Sequence, residues 1–487
     1  MRTRVKAGWL IGHDGRSHEI IRDGELVYED SEIIFVGRHF EGSVDVSIDA
    51  GGKLVGPGFI DSHVHAGHRA VHRLMSDCGR PEFLGQPFYE LIPSLGKSST
   101  GDPRRAVGRE LDLQAQYTVV ELLLSGITTF VEFGASAGMQ AALADHVEKL
   151  GMRAYLGPGF ESGKLGCDQD GRRAFEPHDD EGMSQLQEAL QFIERHDGKA
   201  EGRIKGILVP REVDTCSVSL LKRANELAIE RKLVLATHAA YNPWEVYETI
   251  ARHGCTPIEL LERIGMLRPG VILGHCNYCA SEGRMHYPGG RDLEILAQSG
   301  ACVSHCPVNL MRRGRMLDHW GKYRGLGIPI ALGSDTYPRD MVALMRAASY
   351  MGKMASGDLF VAPAGEVYEA ATTAGADVLG RRDLGRLAPG AKADFIVMGL
   401  SGTRHLRLTP VRDPIRALVE CGMGDDVETV VIDGHVRMRE RVIPGIDLPA
   451  LQRDIQRDAE AVWEQVKDWD PLGRSAEARQ PYSFPMR

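Results

Sequence analysis

Long apolar runs are missing from this 487-residue chain: none approaches the roughly 18–20 residues that span a bilayer. The opening MRTRVKAGWLIGHDG lacks the apolar core of a secretory leader and turns polar at once, so a cytoplasmic protein with no membrane partner is expected. A basic surplus is absent too. With 58 Lys+Arg against 67 Asp+Glu the formal net charge is -9, which leaves no electrostatic footprint for nucleic acid. The nine cysteines are an odd number without disulfide-scaffold spacing, and the lone CxxC of Cys276 and Cys279 has no second pair to complete a zinc ribbon. They read as small buried apolar residues in a reducing compartment. No repeat of about 20–50 residues and no long low-complexity segment is present.

What is there is an ordinary globular composition, 43% hydrophobic and 26% charged, in a length that suits one large catalytic domain plus a smaller one. The first 57 residues alternate β-like runs (GELVYEDSEIIFVG, VDVSIDAGGKLVGPG) with turns, and GAKADFIVMG, DDVETVVIDGHVRMR and ERVIPG near the other end read the same way. Both termini are expected to build one β-module, residues 1–57 plus 386–444, split by an inserted unit. Between them GITTFVEFG, RAYLGPG, IKGILVP, LVLATH, VILGHC, CVSHCP and IPIALGSD alternate with amphipathic stretches such as MSQLQEALQFIERH and SVSLLKRANELAIERK. With FIDSHVH as the first strand, about eight strand–helix units fit residues 58–385. The fold class is therefore α/β: a (β/α)8 TIM barrel with a small β-sandwich domain from both termini. Residues 445–487 read as a charged helix and a Pro-containing tail, packed on the surface or on a partner; a homodimer is expected.

Polar residues at strand ends carry the chemical signal. His63 and His65 end the first strand, His238 ends LVLATH, His275 ends VILGH and Asp335 ends IALGSD. In a barrel these ends face one mouth, so residues distant in sequence converge there. Residues two apart in a strand point the same way, which aims His63 and His65 together. Imidazoles with a carboxylate suit one borderline divalent ion, zinc foremost, with iron, cobalt or manganese also accommodated. Three or four ligands with an open position leave room for an activated water.

The segments GPGFIDSHVH, THAAYNPWEV, GHCNYC, SHCPVN and LGSDTYPRDM resemble the amidohydrolase superfamily. The chain looks most like the branch that holds cytosine deaminase, adenosylhomocysteine-type deaminases and the triazine hydrolases, and is similar to phenylurea and thiocarbamate hydrolases. The resemblance implies a metal-bound barrel in which His63, His65, His238 and Asp335 ligate one ion. It also implies that His275 sits beside the metal water as acid and base, and that Asp335 accepts a proton from that water.

Two positions depart from the branch. Its deaminases usually read HxxE after the third metal histidine, the Glu passing protons to a ring nitrogen; here the segment is His238-Ala-Ala-Tyr241. Tyrosine, with an unperturbed pKa of about 10, is a hydrogen-bond donor rather than a shuttle near neutrality. Glu245 lies farther on, in the following helix. Where those deaminases often have Pro-His at the end of the fourth strand, this chain has Pro210-Arg211, and arginine suits a carbonyl or carboxylate. Lys205 could be a bridging carboxylated lysine of a two-metal site, but it precedes the strand end by several residues.

These departures favour hydrolysis of an amide-, urea- or carbamate-like C–N bond of a small, largely apolar molecule. Attack is by a metal-bound hydroxide, with His275 and Asp335 as acid/base. The alternative is an aminohydrolase, deaminase or dechlorinase of an N-heterocycle such as a pyrimidine, pterin or triazine. A non-catalytic scaffold would lack ligands, and here every metal position is filled. Arg211, Tyr241, His305, Asn309, Trp320 and Glu132 are the candidate substrate-binding residues, Glu132 also as a partner of a ligand histidine. The loop after the first strand adds His68, His72, Met75, Phe83 and Phe88, and Met311 and Met316 flank Trp320 in sequence.

Overall fold

The chain's two ends meet in one sheet of seven strands. Its order is His435–Arg439, Val427–Ile432, Phe395–Met398, Val46–Pro57, Arg2–His13, His18–Glu29 and Glu32–Gly37. The halves join where Phe395–Met398 runs antiparallel to Val46–Pro57, with Val397 opposite Val55. Val5, Leu10, Leu26, Val55 and Phe395 are buried in its core. The segment ERVIPG forms no strand of its own. Glu440 and Arg441 take left-handed φ of 49° and 63°, turning the chain so that Val442 makes only an isolated bridge back to Arg439. The computed structural model describes residues 1–67, 69–78, 109–167, 173–280, 285, 287, 289–317, 320–470 and 472–486.

Between the halves, eight parallel strands close a barrel: Phe59–Val64, Ile127–Glu132, Arg153–Leu156, Ile204–Pro210, Val234–Ala239, Val271–His275, Cys302–His305 and Ile330–Leu332. Nearly every strand residue is buried, because side chains fill the inside and helices cover the outside. Ile60, Val131, Ile207, Val209, Ala236, Ile272 and Ala331 form one cluster that packs the interior. The barrel closes at Asp335, whose N–H donates to the His63 carbonyl at 2.7 Å while its own carbonyl accepts from His65 N–H at 2.6 Å. Capped helices return the chain after the second, fourth and fifth strands. Ser136, Ser217 and Asn242 accept from the first turns of Ala137–Leu150, Val218–Glu230 and Pro243–His253.

A buried ion network fastens barrel to sheet. Arg153, on the third barrel strand, donates to Asp394 at 2.6 Å and to Asp433 at 2.8 Å, and Asp394 also accepts from Asp433 N–H at 2.7 Å. The C-terminal helix Leu448–Glu464 packs on the chain's own barrel. Trp463 donates its indole N–H to the Ala70 carbonyl at 2.8 Å, and Asp458 accepts from Gln114 at 3.1 Å. No helix among the described residues is long and apolar enough to cross a membrane.

Candidate metal centre

Five side chains meet where the barrel strands end. His63 Nε2 and His65 Nε2 lie 3.1 Å apart, as do His65 Nε2 and His238 Nε2. Asp335 approaches within 3.7 Å of both His65 and His275. The donor atoms of His63, His65 and Asp335 lie within 4.8 Å of one another, and so do those of His63, His238 and His275.

The backbone departs from regular strand geometry to achieve this. Ser62 faces the interior, its hydroxyl 2.6 Å from that of Ser304 across the eighth strand. Strict alternation would then turn His63 outward. The pairing register slips between Asp61 and Val64, which brings His63 and His65 to the mouth. His275 and Asp335 hold left-handed φ of 78° and 60°, strained for side chains that carry a Cβ. Two glycines make room. A Cβ on Gly274 would lie 2.9 Å from His63 Cε1, and one on Gly333 would lie 2.5 Å from His63 Cβ. The His63 ring stacks on Phe133 with centroids 3.7 Å apart.

Proton bookkeeping at these nitrogens points to a cation. His238 Nδ1 donates to the Arg211 carbonyl at 2.7 Å, so the neutral ring presents a lone pair at Nε2. Burial holds His63 well below its ordinary pKa and His238 down to about 4, so both rings are neutral. His65 Nε2 faces both. With at most one N–H, it can pair with only one of the two nitrogens at 3.1 Å, which leaves the other contact unsatisfied. A divalent ion at the junction resolves the conflict, because nitrogens about 2.0–2.1 Å from zinc in a tetrahedral shell sit roughly 3.3 Å apart. Burial also raises Asp335 to about 6, against the opposing pull of Arg313 and a hydrogen bond from Asn309 Nδ2. The donor set therefore fits a borderline divalent ion.

Tyr241 stands beside the centre, its ring centroid 5.7 Å from that of His238 and 6.3 Å from that of His275. Glu245 does not reach it. Its two oxygens accept from Ala240 N–H at 2.9 Å and Tyr241 N–H at 2.7 Å, and it is fully buried. Arg211 is half-buried at the end of the fourth strand, and its Nε has no hydrogen-bond partner. Asn309 binds Asp335 directly. His305 is buried, with its ring edge toward Trp320 at 5.9 Å.

Other expectations need correction. Trp320 belongs to the packed core, and its indole N–H donates to Glu366 at 3.0 Å, which removes it from a substrate surface. Glu132 is a clasp. It accepts from Ala66 N–H at 3.3 Å, Ala135 N–H at 2.8 Å and Gln140, tying together the loops after the first two strands. Met311 is exposed on the outside of its helix, and His72 is buried. Lys205 pairs with Tyr155 near the start of its strand, five residues or roughly 16 Å before Pro210, too far to bridge ions at the mouth. His68, Phe83, Phe88 and the Met75 side chain lie outside the described residues.

Sequence reasoning missed Gly274, Gly333, Phe133 and Arg339. Arg339 is buried, donating to the His65 carbonyl at 2.7 Å and to Glu121 at 2.8 Å. The Gly-His and Gly-Ser pairs at the ends of the sixth and eighth strands were the only signal for the glycines.

A sequence profile of the Amidohydrolase family matches residues 54–437. A 5-methylthioadenosine/S-adenosylhomocysteine deaminase of Pelotomaculum thermopropionicum is 29% identical over 460 residues, covering 92% of this chain and 95% of that protein. A 5'-deoxyadenosine deaminase of Methanothermobacter thermautotrophicus is 29% identical over 426 residues, 86% of this chain and 90% of that one. Among solved structures, a zinc-bound adenosine deaminase of Xanthomonas campestris superposes with a TM-score of 0.77 at 18% identity, over 94% of this chain and 98% of its own. The zinc complex of an atrazine chlorohydrolase of Arthrobacter aurescens superposes at 0.76 with 23% identity, over 94% and 99%. Both share the fold. With most of its length matched by the profile, the chain belongs to the amidohydrolase family.

Proposed function

We propose that this amidohydrolase hydrolyses a C–N bond of a small molecule, with His63, His65, His238 and Asp335 holding one divalent ion, zinc foremost. The observation that carries this reading is the pair of 3.1 Å contacts by which His65 Nε2 faces two other imidazole nitrogens. A bound divalent ion supplies Lewis acidity and lowers the pKa of a water toward neutrality. Asp335 would take the proton of that water. Asn309 fixes the Asp335 carboxylate, and the Arg211 carbonyl fixes the His238 tautomer. His275, 3.7 Å from Asp335, passes the proton to the departing nitrogen.

Tyr241 supports cleavage of an exocyclic amide-, urea- or carbamate-like bond, because no carboxylate stands at its position to protonate a ring nitrogen. The second reading is removal of an amino group from an N-heterocycle, favoured by the deaminase relatives at 29% identity. One experiment separates them. Metal content is measured, and the enzyme is screened against ureas, carbamates, anilides and aminoheterocycles with ammonia release recorded. Ammonia from adenine nucleosides without amide cleavage sinks the first reading; no chelator-sensitive hydrolysis of any of them sinks both.

A further inference from the structure

Cys306 is a buried thiol that the reaction does not use. It follows the seventh barrel strand, one residue beyond His305, and its Sγ hydrogen-bonds only weakly to the Ser304 carbonyl at 3.9 Å. Its sulfur lies in a second cluster of donors: Cys306, His275 and Asp335 each offer an atom within 4.8 Å of the other two. All three residues are buried, and His275 Nδ1 has no hydrogen-bond partner. Asp335 belongs to both clusters, so the two would share a ligand.

The chemistry of the second cluster differs from that of the first. Three imidazoles and a carboxylate suit many borderline ions, whereas a thiolate selects soft ones. A coordinating dication deprotonates a thiol outright. The S–H proton then passes to solvent as the sulfur–metal bond forms, with no change of oxidation state.

We propose that Cys306, His275 and Asp335 form a second cation site for thiophilic divalent ions such as zinc or cadmium, which overlaps the catalytic centre and inhibits when filled. An ion there takes the His275 lone pair that would otherwise move the proton. It is weaker than the first site, because a dication already held by His63, His65, His238 and Asp335 repels a second. The thiophilic site fills only when metal is in excess, so one ion activates and a second silences.

The inference rests on the single-ion reading above, and one titration tests the two separately. Chelator-treated full-length protein is titrated with cobalt(II), following activity and absorbance together. The first equivalent is expected to restore activity without a thiolate-to-cobalt charge-transfer band; the second brings in that near-ultraviolet band as activity falls. Cys306→Ser and Cys306→Ala keep the first step, lose the band and need roughly tenfold or more cobalt for inhibition. Unchanged inhibition in both variants overturns the second site, as does a thiolate band already present at the first equivalent or absent at the second. Failure of the first equivalent to activate counts against the single-ion reading, while the Cys306-dependent band still decides the second site.

Discussion

Replacing Gly274 by alanine tests whether the metal centre is as tightly fitted as the structure implies. The new methyl would sit 2.9 Å from His63 Cε1 and 3.1 Å from His63 Nδ1. Ordinary carbon contacts lie near 3.5–4.0 Å, so the ring must retreat by about half an ångström to one. It has little space to do so, with Phe133 stacked 3.7 Å away and Gly333 against its Cβ. Metal sites hold ligand distances to within about 0.2 Å, so such a shift exceeds what coordination absorbs. Metal affinity is expected to fall by roughly 10–100-fold, the range seen when groups that orient a ligand are altered. Overpacking costs about 1–3 kcal/mol of stability besides. Competition with a chromogenic chelator gives the dissociation constant, and urea unfolding of the metal-free protein gives the packing cost. Gly365→Ala is the control: it lies in helix Ala364–Ala370 with nothing within 4 Å of the added methyl, and should bind metal like the parent. Parental affinity in Gly274→Ala would refute the claim that this glycine exists to seat His63.

His275→Asn should keep one bound ion yet lose about 10²–10⁴-fold in kcat; loss of the ion instead would make His275 a ligand rather than a proton carrier. Arg153→Ala strands Asp394 and Asp433 in the interior and should cost about 3–5 kcal/mol in urea unfolding. Burial alone would raise Asp433, but Arg153, with Lys392 and Arg203, outweighs it and holds the carboxyl low. That stabilisation is fully present above the unfolded value of about 3.9 and is lost as pH falls through the lower folded value. An Arg153→Ala variant as acid-resistant, relative to neutral pH, as one that never had the pair would show the expected smaller loss on acidification; an unchanged loss would argue against the link. Glu132 has the opposite sign. Burial pushes it up to about 7 from 4.5, so the folded chain retains a proton that the unfolded chain has released, and stability falls as pH rises between those values. Melting temperatures of Glu132→Gln should show a flatter slope across that window, and an identical slope would rule Glu132 out as its source.

Much of the architecture was legible because it is periodic. Alternating strand and helix patterns located all eight barrel strands, and HxH, TH, GH and SD at strand ends marked the five side chains of the centre. Tyr241 could be read as a departure, since position after His238 is a matter of counting. Trp320 and Glu132 misled for a shared reason: both look like mouth residues along the chain, but their partners, Glu366 and the Ala66 and Ala135 amides, come from elsewhere in the fold.

The sequence by itself determined which elements form and which donor residues stand at their ends, because hydrophobic periodicity and residue chemistry are local. Only the tertiary structure decided how the donors meet. The register slip after Asp61, the left-handed backbone at His275 and Asp335, and the space left by Gly274 and Gly333 each depend on strands paired across the closed barrel. The same closure brings Cys306 beside His275 and Asp335, a meeting of residues from three strand ends that no local pattern encodes.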